Sequence, residues 1–162
     1  MTRPFLSWPD KRLRQVADPI NAVTDETRAL WDEMIEIMEA MPGYGLAAPQ
    51  IGVLQRVSVV DCSVERGRVI RLANPEIIAT SEDSFVFEEA SPNLPGVSAK
   101  VKRPARVTVS FLDAEGDRVK QVFEDVWATS VQHQIDHLNG RMYFDNLSRT
   151  KKEMLLKKAR KQ

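Results

Sequence analysis

The chain is short of cysteine, of histidine and of long apolar runs. Cys62 is the single cysteine in 162 residues, so no internal disulfide can form and a reducing compartment is expected. No stretch approaches the roughly 18 apolar residues of a membrane-spanning helix. The opening Met1-Thr2-Arg3-Pro4-Phe5-Leu6-Ser7-Trp8-Pro9 has no apolar run of signal-peptide length. Lys plus Arg and Asp plus Glu stand at 23 each, so net charge gives no reason to expect a nucleic-acid or membrane partner. A cytoplasmic protein is expected.

What is present is ordinary for a folded domain: 43% hydrophobic and 28% charged residues. The length is enough for one domain, 1–162, with a sizeable core. Residues 1–23 are punctuated by Pro4, Pro9 and Pro19. Thr24 then reads as a helix cap, with Asp25 and Glu26 in the first turn, where the helix dipole favours them. Leu30, Met34, Ile37, Met38 and Met41 keep helical spacing, which predicts a helix over about 25–41, ended by Pro42-Gly43.

After residue 52 the period shortens. Strands are expected at 57–61, 69–72, 77–78, 85–87, 107–112 and 119–123, with Asp113-Ala114-Glu115-Gly116-Asp117 as a hairpin turn. A second helix is expected at about 124–139, with Val131, Ile135 and Leu138 on one stripe and Gly140 as its stop. The tail from Ser148 reads as a basic helix. Helix, strands, helix in that order argue for an α+β fold with an antiparallel or mixed sheet.

The only two histidines, His133 and His137, are four residues apart, so on a helix both imidazoles share a face and can chelate one metal ion. The same spacing also suits two exposed polar residues on an amphipathic helix. The surrounding residues add to it. His133-Gln134-Ile135-Asp136-His137-Leu138-Asn139-Gly140 resembles the HExDHLxG motif of the peptide deformylase family, departing from it at Gln134. Gly43-Tyr44-Gly45-Leu46-Ala47-Ala48-Pro49-Gln50 matches that family's GxGLAAxQ motif. The segment Phe5 to Arg14 is similar to its N-terminal segment, and the resemblance extends from about residue 4 to about 148.

The resemblance implies a fold with a central helix carrying the histidine pair, and a metal hydrolase that removes the formyl group from N-terminal methionine. It implies zinc or iron(II) held by two His and one Cys, with the Glu of HExDH as general acid and base. A Gln side chain and a backbone N–H would hold the formyl oxygen. Carried over residue by residue, His133, His137 and Ser91 take the metal positions, and Gln134 the position of the Glu. Gln50 takes the oxygen-binding position, and Gly45, Leu46 and Pro92 become substrate-binding candidates.

Three of these positions depart from the family, since its EGCLS motif aligns here with Glu89-Ala90-Ser91-Pro92-Asn93. Ser91 replaces a thiolate by a weak neutral hydroxyl. Gln134 cannot take a proton, and loss of a positioned general base costs about 10²- to 10⁴-fold. Pro92 has no N–H to offer an oxygen, a loss of about 10²- to 10³-fold for one such donor. Glu88 or Glu89 could lie nearby as a substitute base or ligand. Weak metal binding and absent or weak deformylase activity are therefore expected. The alternatives are an active deformylase with unusual metal ligation, or a regulator that binds ribosomes or nascent chains. The expected partners are formyl-methionyl peptide ends and, through Arg149, Lys151, Lys152, Lys157, Lys158, Arg160 and Lys161, the ribosome.

Overall fold

The computed structural model describes residues 3–161. The first helix, α1 (Asp25–Ala40), starts at the expected cap. Thr27 N–H donates to Thr24 Oγ1 at 3.4 Å while Thr24 N–H donates to Thr27 Oγ1 at 3.1 Å, so two end donors are satisfied reciprocally. Trp31, Met34, Ile37 and Met38 form its buried stripe. Trp31 also donates its indole N–H to Ser58 O at 3.1 Å.

Among the described residues seven strands follow: β1 (Gly45–Ala47), β2 (Val57–Val60), β3 (Ile70–Thr80), β4 (Ser84–Ser91), β5 (Leu94–Pro104), β6 (Arg106–Leu112) and β7 (Arg118–Glu124). Five make one sheet in the order β1-β2-β3-β6-β7, and β4 and β5 make a separate ribbon. Every strand pairing is antiparallel, which settles the expected α+β class in its antiparallel form. Two further helices complete the fold, α2 (Asp125–Leu138) and α3 (Arg149–Arg160).

Alternation along β2 explains how the sheet carries helices on both faces. Val57 and Val59 pack with α1, while Val60 joins Leu72, Val107 and Val109 against Ala128, Val131 and Ile135 of α2. The β4–β5 ribbon covers another side of α2, sending Glu89 and Arg103 toward it. A further core of Leu6, Leu94, Val101, Tyr143, Phe144 and Leu155 ties the ribbon to the N-terminal segment and α3. Helix α2 is consequently buried almost continuously from Ala128 to Leu138. The expected stripe divides, since Leu138 packs with Ala17 and Ala47 instead of with Val131 and Ile135.

Besides β1, which lies before the first strand expected at residue 57, the strands differ from expectation in two places. The runs at 69–72 and 77–78 belong to one strand, because Asn74 and Pro75 make an irregularity inside β3 and not a turn. Asn74 adopts φ 47°, and its side chain bonds the backbone of Ile20 in both directions. Strand β5 lies outside every expected strand, and it carries Pro95-Gly96 near its start. Yet Leu94, Val97, Val101 and Arg103 turn inward along it, and a strand at a ribbon's margin tolerates proline.

Cys62 lies half-buried beside the α2 core, with burial pushing its thiol up to about 12. It serves there as a small packing residue. Ser148 caps α3 by accepting Lys151 N–H at 3.3 Å, and Leu155 anchors the helix. Among the described residues no helix is long and apolar enough to cross a membrane.

Candidate functional site

A cavity of about 310 Å³ opens between β1, the ribbon and α2. The structure brings five of the candidate residues to its wall: Gly45, Gln50, Pro92, His133 and Gln134. Ser91 and His137 lie buried behind that wall. Leu46 is a correction, because its side chain points into the α1 core and does not line the cavity. In a strand, residue 46 must face away from residue 45. Gly45 faces α2 so closely that a Cβ there would stand 2.5 Å from Gln134 Nε2 and 2.7 Å from Ser130 Oγ. Only glycine lets β1 approach the helix this far.

Helical spacing sets the two imidazoles together, with ring centroids 5.0 Å apart. His133 also stacks on Tyr143 at 5.9 Å and contacts Glu89 Oε1 through Nδ1 at 2.8 Å. Burial opposes ionisation of Glu89, but hydrogen bonds from His133 and Arg103 outweigh it and hold the carboxyl below its usual range. The carboxylate therefore accepts from Nδ1, and Nε2 is the His133 ring nitrogen without a protein partner. His137 has no hydrogen-bond partner at either ring nitrogen, and burial, then the neighbouring His133 and Arg103, drive its pKa well down. It is a neutral imidazole.

Arg103 makes a fork to Glu89, with Nε at 2.7 Å and Nη2 at 3.0 Å from the two carboxylate oxygens. Its Nη1 donates to Asp136 Oδ2 at 2.9 Å, and Asn146 Nδ2 donates to the same oxygen at 3.1 Å. This chain of polar groups clasps the ribbon to α2. It also corrects the idea that Glu89 could serve as a substitute base or ligand, since both of its oxygens are committed. Glu88 lines the cavity from an exposed position, with Ser98 Oγ donating to it at 2.8 Å.

The third motif holds what sequence reasoning missed. Asn93 is almost wholly buried, and all of its side-chain capacity is engaged. Its Nδ2 donates to Leu6 O at 2.6 Å and to Gln50 O at 3.1 Å. Its Oδ1 accepts from Gln50 Nε2 at 2.8 Å and from Ser91 Oγ at 3.0 Å. Ser91 Oγ in turn accepts Asn93 N–H at 3.3 Å, with Gln50 Nε2 at 3.5 Å. Gln50 Oε1 accepts Ala47 N–H at 2.9 Å. The signal was a single asparagine at the end of the aligned motif, with nothing in its spacing to reveal these partners.

This knot decides how the residues fit a metal. Two imidazoles with unpartnered nitrogens suit a zinc or iron(II) ion. The third donor does not, because the Ser91 hydroxyl is neutral and its proton is given to Asn93. Among the described residues, no group of three or more His, Cys, Asp or Glu side chains is placed to hold a metal ion. The donor set fails to reproduce the two-His, one-thiolate centre.

Comparison with known proteins agrees with the fold and the motif order. A peptide deformylase of Afipia carboxidovorans is 42% identical over 161 residues, covering 98% of this chain and 94% of that protein. One of Phenylobacterium zucineum is 42% identical over 161 residues, covering 98% and 95%. The crystal structure of a peptide deformylase from Legionella pneumophila superposes with a TM-score of 0.92 at 37% identity, covering 99% of this chain and 95% of that one. The sequence profile described as "Polypeptide deformylase" matches residues 2–153. By fold, motif order and near-complete coverage, this chain belongs to the polypeptide deformylase family.

Proposed function

We propose that this chain is a cytoplasmic member of the deformylase family that receives the amino-terminal end of a peptide in the cavity beside His133, with hydrolysis of a formyl group absent or weak. The carrying observation is the Ser91–Asn93–Gln50 knot. It engages the third metal donor and the Gln50 amide in internal hydrogen bonds. Two sequence facts act with it: Gln134 cannot accept a proton, and Pro92 has no N–H. A deformylase acts by activating water on a metal and stabilising the developing oxyanion, so the third metal donor, the base and the oxygen-binding donors are weakened together, while the two imidazoles remain. Formylated ends of nascent peptides are the substrate class from which this site descends.

A second reading is favoured by two observations. The relatives named above are peptide deformylases at about 42% identity, and the Glu89–His133 contact orients the imidazole as a metal ligand's partner would. On that reading the chain is an active hydrolase with unusual ligation. Metal analysis of protein purified anaerobically, beside a formyl-methionyl peptide assay, separates the two. The first reading expects little retained zinc or iron after desalting and turnover reduced by at least about 10²-fold. Near-stoichiometric metal with ordinary turnover would establish the second.

The basic helix α3 supports a ribosomal partner. Arg149 pairs with Glu153 and Lys152 with Asp145, while Lys157, Lys158 and Arg160 crowd its last turn. Salt-sensitive co-sedimentation with ribosomes, lost on reversing Lys157 and Lys158 to Glu, is the expected result.

A further inference from the structure

The side-chain amides of Gln50, Asn93 and Gln134 stand at or directly behind the cavity wall, and two of them are engaged. Gln50 Nε2 donates to Asn93 Oδ1 at 2.8 Å and lies 3.5 Å from Ser91 Oγ. Asn93 Nδ2 is taken by the carbonyls of Leu6 and Gln50. The Ser130 hydroxyl on the same wall donates to Tyr44 O at 2.9 Å. Gln134 differs. The residue is almost wholly buried, and its Oε1 lies inside the protein without a partner. Its Nε2 stands beside Gly45 on the cavity wall, 2.5 Å from where a Cβ on that glycine would lie. Among the described residues no protein acceptor takes the Nε2 hydrogens.

An ionised carboxylate at residue 134 could only accept hydrogen bonds, and it would meet a carbonyl oxygen with repulsion. The amide instead turns a donor to the cavity, and what pairs with it is an oxygen brought by a ligand. Resting on the reading of this cleft as a peptide-end site, we propose that Gln134 is a ligand-binding residue, whose Nε2 donates to the acyl oxygen of an N-acylated peptide end and holds that end intact. Gln134 follows His133 on α2, so it meets the group at the very end of the bound chain. A formyl or acetyl cap carries the required oxygen there, and a free amino end does not. The first side chain lies against Met41, Tyr44, Phe87 and Val126 of the same wall. A position that as glutamate would pass protons serves, as glutamine, to retain the acyl group.

The test is calorimetric titration of the full chain, its metal content measured alongside, with formyl-Met-Ala-Ser and Met-Ala-Ser, and mass analysis of the recovered peptide. Gln134→Met keeps the side chain's length and removes both its donor and its orphaned buried oxygen, so it should fold. In that variant formyl-Met-Ala-Ser is expected to bind about three- to tenfold more weakly, the contribution of one neutral hydrogen bond, with Met-Ala-Ser unchanged. In NMR spectra of the isotopically labelled wild type, the Gln134 side-chain amide should move downfield with the formyl peptide and stay in place with the free one. The formyl peptide should be recovered uncleaved. An amide signal unmoved by bound formyl-Met-Ala-Ser, or an equal loss for both peptides in Gln134→Met, overturns the contact while leaving the cleft a peptide-end site. Binding of neither peptide overturns that site and the contact with it. Release of Met-Ala-Ser from the formyl peptide overturns retention.

Discussion

The Ser91 hydroxyl donates its proton to Asn93 Oδ1 at 3.0 Å, so this side chain is turned inward, to the protein. Asn93 simultaneously holds the N-terminal segment through Leu6 O and the β1 loop through Gln50 O. One buried amide thereby links three segments that are remote in sequence.

Asn93→Ala should therefore be severe for stability. It strands the Leu6 carbonyl, the Gln50 amide and the Ser91 hydroxyl, while the Gln50 carbonyl keeps the Leu6 N–H, at about 1–3 kcal/mol for each buried group left unsatisfied. A loss of at least about 3 kcal/mol is expected in denaturant unfolding, seen as a lower midpoint with unchanged slope. A change within about 0.5 kcal/mol would place Asn93 among surface-like positions and refute the knot.

Restoring the family residues should act in a set order. Ser91→Cys should raise retained zinc or iron first, because a thiolate completes the donor set. Gln134→Glu alone should change little, since a base needs a metal-bound water to act on. The double variant should gain formyl-methionyl hydrolysis well beyond the sum of the singles. Adding Pro92→Leu should raise it by up to about 10²-fold. A wild type as active as the triple variant would sink this account of the three positions.

Gly45 and Gln134 should be energetically coupled. Gly45→Ala drives a Cβ into Gln134 Nε2 and Ser130 Oγ, an overpacking cost of about 1–3 kcal/mol. Gln134→Ala in the same molecule should recover part of that loss, so the double-mutant cycle should depart from additivity. Additive thermal shifts would contradict the contact.

Acid should loosen the junction between α3 and the N-terminal segment. Burial alone would raise the Asp145 carboxyl, but bonds from Arg14, Lys152 and the Met142 N–H outweigh it and hold it well below the usual 3.8. With the folded pKa depressed, the unfolded chain binds the proton first. The stabilisation is present above about pH 3.8 and is lost as pH falls below it. Asp145→Asn should flatten stability against pH in that acid window while lowering it at neutrality. An unchanged profile would show that the three contacts carry nothing.

Much of the fold was legible because local signals agreed with it. Thr24, the stripe through Met34, Ile37 and Met38 and the hairpin turn at residues 113–117 are short-range features that a sequence displays directly, while Trp31 takes the buried place expected of Leu30. The β4–β5 ribbon was half hidden, because its inward residues include Glu89 and Arg103, and charged residues read as solvent-facing until their partners are known. Gly45, Gln50, His133 and Gln134 were found through motifs and do meet at one cavity. Asn93 and Arg103 were not found, since what defines them is contact across 43 and 33 residues of chain. Leu46 was assigned to substrate by its place in a motif, where strand alternation sends it to the core.

Burial of α2 on all sides has a consequence for heredity. His133, Gln134 and His137 sit in the middle of the folding core, so a replacement at any of them alters how much folded protein a cell retains as well as what the cleft can do. Selection on abundance and selection on chemistry act on the same few side chains. Once hydrolysis stops being required, substitutions that settle the core, such as a neutral glutamine for a buried glutamate, can spread on stability alone.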